Sequence, residues 1–257
     1  MISLAALAPA GLQVEPDATA VAERVADTLL QALRRGSTLG LATGRTMLPV
    51  YGALRRRLGE LPRAERRALL AGWRSFNLDE YVGLGPAHAG SFSGFMAEQL
   101  GDPLDLPAGA LQLPDGLAAD AEAEAQRYGA AVRAAGGIDL QLLGLGNNGH
   151  VGFNEPPCPA DAPCRCLALS EATRLQNAAA FGGDPAAVPA QAITLGTAEI
   201  RAARRLLLVV TGGAKAQVLR RCLLEPPCAE LPASWLQGHP GLQIVVDAAA
   251  AAALPLN

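Results

Sequence analysis

Nothing in the chain supplies an excess of positive charge: 21 Lys and Arg face 24 Asp and Glu, for a formal net charge of −3. A nucleic-acid partner therefore has no electrostatic footing. Long apolar runs are missing as well, the longest being strand-sized and well short of the roughly 20 residues that a spanning helix needs. The start, Met-Ile-Ser-Leu-Ala-Ala-Leu-Ala-Pro, lacks the basic residues of a secretory leader. The expectation is a cytoplasmic protein with neither nucleic acid nor membrane as partner. Cysteine is present five times, an odd number without a disulfide-like framework, which fits a reducing compartment. Cys158, Cys164 and Cys166 crowd a Pro-rich stretch. His150 is the only histidine near them and a fourth ligand is not evident, so they read as free thiols in a surface loop, with no metal. Histidine is scarce, at three residues. Of these, His88 and His239 have surroundings that suit surface or packing roles.

What is there is apolar material, half of 257 residues, enough for one α/β domain spanning 1–257. Short β-type runs alternate with helical stretches. Ser37–Thr43, Trp73–Leu78, Ile138–Leu145, Ala192–Leu195, Leu206–Val210 and Leu242–Asp247 read as strands. Met47–Leu58, Ala118–Ala135, Lys215–Leu224 and Ala248–Ala253 read as helices. Arginines at 55–57, 63, 66 and 67, interrupted by acids, suit the solvated face of a helical region. The strands are continuous apolar runs rather than alternating ones, the mark of a parallel sheet covered on both faces. The fold expected is a doubly wound α/β fold, with a mostly parallel sheet and helices on both faces.

In such sheets ligands bind beyond the carboxyl ends of the strands, and three segments fall there. Thr43-Gly44-Arg45-Thr46 joins a strand to a helix start. Its small residues, hydroxyls and guanidinium suit an anion, although the spacing is not that of a nucleotide-binding loop. Asp79-Glu80 places two carboxylates at a strand end, where one can serve as base for a C–H proton or cap the next segment. Gly144-x-Gly146-x-x-Gly149 fits the dinucleotide fingerprint by letter and follows a strand. Pro156, Pro157 and Pro159 then block the helix that the fingerprint requires, and Glu171 near the expected acidic position is weak support, so nicotinamide binding is rejected. What remains is His150 with Glu155, a carboxylate able to orient the imidazole and raise its basicity as an acid/base pair.

Together these segments resemble the glucosamine-6-phosphate deaminases over nearly the whole chain. The likeness runs through Leu39-Gly-Leu-Ala-Thr-Gly44, Asn77-Leu-Asp-Glu-Tyr-Val-Gly-Leu84 and Gly144–Pro156. It continues through Ala192-Ile-Thr-Leu-Gly196, Thr211-Gly-Gly-Ala-Lys-Ala216 and Pro232-Ala-Ser-Trp-Leu-Gln237. Leu-Asp-Glu-Tyr and Gly-His-x-x-Phe-Asn-Glu-Pro are the specific segments. The resemblance implies a Rossmann-like sugar-phosphate isomerase that turns glucosamine 6-phosphate into fructose 6-phosphate and ammonia without metal or redox cofactor. It implies that Asp79 moves the C2 proton through an enediol-like intermediate. His150, supported by Glu155, would assist ring opening, and Lys215 with Thr43–Thr46 would hold the phosphate.

Two departures stand out. Many members carry aspartate where this chain has Asn148, although asparagine occurs in a short-chain branch; the change removes a third acid from the catalytic set and leaves His150 paired chiefly with Glu155. A phosphate-binding arginine that some members have after a Thr-Arg pair aligns with Ala179, counting from Thr173-Arg174. Arg45, where the usual loop has a small residue, is expected to substitute. The same departures occur in galactosamine-6-phosphate isomerases, which keeps the epimer open as substrate. A related 6-phosphogluconolactonase would need no C2 base. A non-catalytic sugar-phosphate sensor would need a DNA-binding domain, for which about thirty residues before the first strand are too few. The chain ends at Leu254-Pro-Leu-Asn257, soon after its last strand, so the expectation is a monomer or small homo-oligomer without activation by N-acetylglucosamine 6-phosphate.

Overall fold

A computed structural model describes residues 11–256 of the chain; the N-terminal segment read above as lacking a secretory leader lies outside them. The chain opens with β1 (Leu12–Glu15) and α1 (Ala18–Arg34), then β2 (Leu39–Leu41), α2 (Met47–Glu60), α3 (Arg63–Ala71) and β3 (Ser75–Asn77). Next come β4 (Asp79–Tyr81), α4 (Phe92–Met96), a π-helical turn at Ala97–Gly101 that runs into α5 (Asp102–Leu104), and β5 (Leu111–Gln112). The middle of the chain forms α6 (Ala121–Ala134), β6 (Leu140–Gly144), β7 (Arg165–Ala168), α7 (Glu171–Asn177) and β8 (Gln191–Thr194). It closes with α8 (Thr197–Arg201), β9 (Leu206–Val210), α9 (Ala216–Leu224), β10 (Leu242–Asp247) and α10 (Ala248–Ala251).

Seven strands make one sheet in the order β1-β10-β9-β6-β2-β3-β5, and every pairing in it is parallel. The central strands are buried almost throughout because both sheet faces are covered, which is why they contain so few polar residues. The helices read as stripes. Asp17 caps α1 by accepting the Ala20 N–H at 2.9 Å, and Val21, Val25, Leu29 and Leu33 then recur on one buried face. That face packs beside α2, and the arginine cluster turns out to staple the two helices. Arg57 pairs with Glu23 at 2.9 Å and Asp27 at 3.0 Å, and Arg56 also reaches Glu23.

The doubly wound, mostly parallel sheet is as expected, with four corrections. The first strand is β1 (Leu12–Glu15), earlier in the sequence than Ser37. Strands read as Ser37–Thr43 and Trp73–Leu78 shrink to three residues each, β2 and β3, because their flanks turn out of the ladder to form the loops. Ala192–Leu195 is not in the parallel sheet: β8 centres a separate antiparallel sheet of order β4-β8-β7. Finally, Cys158 and Cys164 are buried and only Cys166 is half-exposed. The first two are buried packing residues, not thiols of a surface loop.

The chain leaves β2 toward β3 and β5 on one side, and leaves β6 toward β9 and β10 on the other. β2 and β6 are neighbours, pairing at Leu39↔Leu140 and Gly40↔Gln141. The loops that follow them diverge and open a crevice at their carboxyl ends.

Candidate active site

Asp79 and Glu80 are successive residues of β4, so the pleat sends their side chains to opposite faces. Glu80 is fully used. Its carboxylate accepts the N–H groups of Tyr81 (2.8 Å), Phe92 (2.9 Å) and Ser93 (2.7 Å), closing the start of α4. Burial pushes its pKa up and those donors hold it back. Asp79 is the contrast: 95 % of it is out of solvent, yet none of the described residues donates a hydrogen bond to its carboxyl. Burial, and then the neighbouring Glu80, push its pKa up to about 8. A carboxyl kept dry and unpaired is costly for stability and well suited to taking a proton from carbon. Gly152 lies against it: a Cβ there would stand 3.3 Å from Asp79 Oδ2 and 3.1 Å from Thr194 Oγ1, at a backbone φ of +58°.

The glycine-rich loop is built around the histidine ring. A Cβ on Gly146 would come within 2.2 Å of His150 Cε1, so only glycine lets the ring lie flat on the strand exit. The loop turns back on itself through a bridge between Val151 and Asn154. Buried Asn154 locks that turn, donating to Val151 and Leu195 carbonyls at 2.9 Å each and accepting from Arg165 at 2.9 Å. The letters that mimic a dinucleotide fingerprint thus serve a side chain and not a pyrophosphate.

His150 Nδ1 stands 2.6 Å from Asn148 Oδ1. The His150 backbone N–H also donates to that oxygen at 3.3 Å, which fixes the amide orientation and makes Nδ1 the protonated nitrogen. Nε2 is left with its lone pair available. Burial chiefly lowers the pKa of the ring, the charge of Glu155 pulls it partly back, and Lys215 lowers it further; the imidazole is neutral at physiological pH.

This corrects the expected pairing. Glu155 touches none of the ring. Its carboxylate accepts Ser170 N–H (3.1 Å) and Oγ–H (2.9 Å), and the Thr173 hydroxyl also donates to it. Because the chain reverses at Asn154, Glu155 points to the start of α7 and ties that helix to the loop. Ser170 in turn caps α7 by accepting from Thr173 N–H at 3.2 Å. Glu155 therefore reaches His150 only through its field, and Asn148 is the orienting neighbour.

These elements surround a cleft of about 570 Å³ whose lining includes Thr43, Arg45, Asp79, His150, Gln176 and Lys215. Gly44 and Thr46 line it as well, with Ala179, whereas Asn148 and Glu155 stand behind the wall. Gly44 takes φ +104° and its carbonyl accepts the Met47 N–H at 2.9 Å, which aims the start of α2 at the cleft. No side chain caps that helix, so an anion there meets its positive end. Lys215 follows β9 on a tight turn held from behind: the Gly212 N–H donates to Asp247 at 2.9 Å. Burial lowers the Lys215 pKa. Its Nζ donates to Asn147 Oδ1 at 2.5 Å, and Asn147 Nδ2 donates to Gln176 of α7 at 3.4 Å.

Every residue singled out at the three strand ends is therefore near one cleft. Sequence reasoning assigned no role to Asn147, Gly152, Ser170, Thr173 or Gln176. Only the Ser170-x-x-Thr173 spacing, a helix-start signal, was there to be used. His88 and His239 have packing roles: His88 stacks on Phe181 with centroids 5.9 Å apart, and His239 Nε2 meets the Ala203 carbonyl at 2.9 Å. Among the described residues no group of three or more His, Cys, Asp or Glu is placed to hold a metal ion.

Comparison with known proteins gives concordant results. Residues 15–245 match the family described as glucosamine-6-phosphate isomerases/6-phosphogluconolactonase. A glucosamine-6-phosphate deaminase of Streptomyces coelicolor is 42% identical over 247 residues, covering 95% of this chain and 92% of that one. The solved structure of a monomeric glucosamine-6-phosphate deaminase superposes with a TM-score of 0.88 at 30% identity, covering 95% of this chain and 99% of that one. A 6-phosphogluconolactonase from Trypanosoma cruzi shares the fold, with a TM-score of 0.74 at 19% identity over 96% of this chain and 97% of that one.

Proposed function

The chain belongs to the family of glucosamine-6-phosphate isomerases and 6-phosphogluconolactonases, and on that premise we propose that it converts glucosamine 6-phosphate and water to fructose 6-phosphate and ammonia. Asp79 carries this reading. A lactonase hydrolyses an ester and has no task for a base at carbon, whereas here a buried, unpartnered carboxyl with a pKa near 8 faces a cleft furnished for phosphate. The relatives named glucosamine-6-phosphate deaminase support the same reaction.

The chemistry divides among the residues as follows. The Thr43–Thr46 turn, the start of α2, Arg45 and Lys215 hold the phosphate and thereby fix the distance of the sugar carbons from it. Neutral His150, with Nδ1–H on Asn148, uses Nε2 to take the proton of the O1 hydroxyl and return it to O5 as the ring opens to the aldehyde. Ionised Asp79 takes the C2 proton while the C2 ammonium gives a proton to O1, leaving an enediol-like intermediate with the amine on C2, and Asp79 then returns its proton to C1. The resulting C2 imine adds water and loses ammonia, leaving the ketose. Glu155 acts by keeping α7 against the loop. No step calls for a metal or redox cofactor. A monomer belongs to the reading, supported by the monomeric relative; sedimentation as a hexamer would overturn that part.

The test is an ammonia-release assay on glucosamine 6-phosphate and galactosamine 6-phosphate side by side. The glucosamine epimer is expected to be the better substrate, with Asp79→Asn inactive on both. A preference for galactosamine 6-phosphate would correct the substrate, and an undiminished Asp79→Asn rate would remove the assigned base.

A further inference from the structure

Asn147 is exposed and belongs to no strand or helix, yet its one amide engages two other elements that line the cleft. Its oxygen takes the Lys215 ammonium at 2.5 Å, across 68 residues of sequence, and its nitrogen reaches Gln176 Oε1 of α7 at 3.4 Å, across 29 residues. Lys215 has no carboxylate partner among the described residues, and burial already weighs against its charge. A lysine in that state keeps its charge for an anion only if something neutral holds it in place. Asparagine meets both needs at once, an acceptor for the ammonium and a donor for the helix. Aspartate would neutralise the lysine and offer α7 no donor, and an aliphatic side chain would do neither.

We propose that Asn147 is a positioning residue that aims Lys215 at the phosphate and fastens α7 over the cleft, so that phosphate capture and the seating of α7 are read through one side chain. The inference rests on the functional reading above, in which Lys215 holds the phosphate. An ammonium has three donors; with one spent on Asn147, two remain for phosphate oxygens, and the lysine enters the complex already oriented. Gln176 is the helix's end of the connection. Its loss should loosen α7 without disturbing Lys215.

The probes are fructose 6-phosphate and inorganic phosphate, with affinity read by calorimetry, so that turnover is not required. Asn147→Ala is expected to weaken both about tenfold, the scale of one charge-assisted hydrogen bond, while kcat at saturation stays within about twofold because the acid/base groups are untouched. Asn147→Asp is expected to weaken both further, by cancelling the charge. In a Lys215→Met background Asn147→Ala should have no further effect, since the two act as a unit. Gln176→Ala should speed proteolytic cleavage in α7 and leave inorganic phosphate binding unchanged. An unchanged affinity in Asn147→Ala, or losses at 147 and 215 that add in full, overturns this proposal and leaves the functional reading intact. A parent protein that binds neither probe overturns the functional reading beneath it.

Discussion

The two ends of the cleft are built on opposite electrostatic terms. At the acid/base end, Asp79 and His150 are sequestered by Gly152, Gly146, Thr194 and the aromatic rings around Tyr81, and their charged forms are disfavoured: the carboxyl pKa rises to about 8 and that of the imidazole falls. At the phosphate end, Arg45 is exposed with no ion-pair partner among the described residues, and Lys215 is held by a neutral amide. One end withholds charge until the reaction asks for it. The other keeps charge in reserve for a dianion that brings its own. Burial raises reactivity where a proton must move, and the exposure of Arg45 spares desolvation where a phosphate must enter and leave.

The largest expected effect breaks the acid/base end. Asp79→Asn should cost about 10²–10⁴ in kcat, the usual range for a lost general base. It should also raise stability, with a sign that follows from the shift. A carboxyl whose pKa rises from 3.8 to about 8 on folding favours the fold only below its unfolded pKa. That advantage is lost as pH rises through the folded value, a deficit of roughly 4 kcal/mol by pH 7. The Tm of Asp79→Asn should therefore exceed that of the parent at pH 8 and match it near pH 4; equal curves at both would mean the carboxyl is not held as described. The parent's kcat/KM should climb with pH to a plateau above about pH 8, as Asp79 ionises.

Next comes the phosphate end. Lys215→Met should raise KM about 10- to 100-fold with kcat nearly preserved, and the parent's KM should itself rise with salt. Arg45→Ala, at an exposed position, should raise KM only about two- to fivefold. A KM equal to the parent's would show that Arg45 does not compensate for Ala179. The smallest effect sharpens the comparison by making one end resemble the other. Asn148→Asp would place a charge on His150 Nδ1 and raise the ring pKa. Its kcat/KM should then fall more steeply than the parent's below neutrality and agree with it at pH 8; superimposable profiles would argue against Asn148 as the orienting group.

Much of this was legible in the sequence, for identifiable reasons. A parallel sheet buried on both faces writes itself as short apolar runs, so β6, β9 and β10 were plain, and strand ends located Thr43, Asp79 and His150. The small antiparallel sheet was hidden. β4 is only Asp79-Glu80-Tyr81, two of its three residues are charged, and β7 lies among prolines and cysteines where periodicity has no length to develop. The pairing of His150 with Glu155 failed for a different reason. Proximity in sequence does not reveal that the chain reverses between Val151 and Asn154 and carries the carboxylate away. Asn147 was out of reach altogether, since both its partners come from other elements.

The His150 ring fills the space that a Cβ on Gly146 would need, which bears on how homologues and variants are to be judged. A methyl group at 146 would evict the imidazole while every residue that handles a proton or a phosphate stayed in the chain. A check of such a gene for its reactive side chains would pass it as intact, although loss of activity is expected. For this loop, the absence of a side chain at 146 is as diagnostic of a working copy as the presence of the histidine.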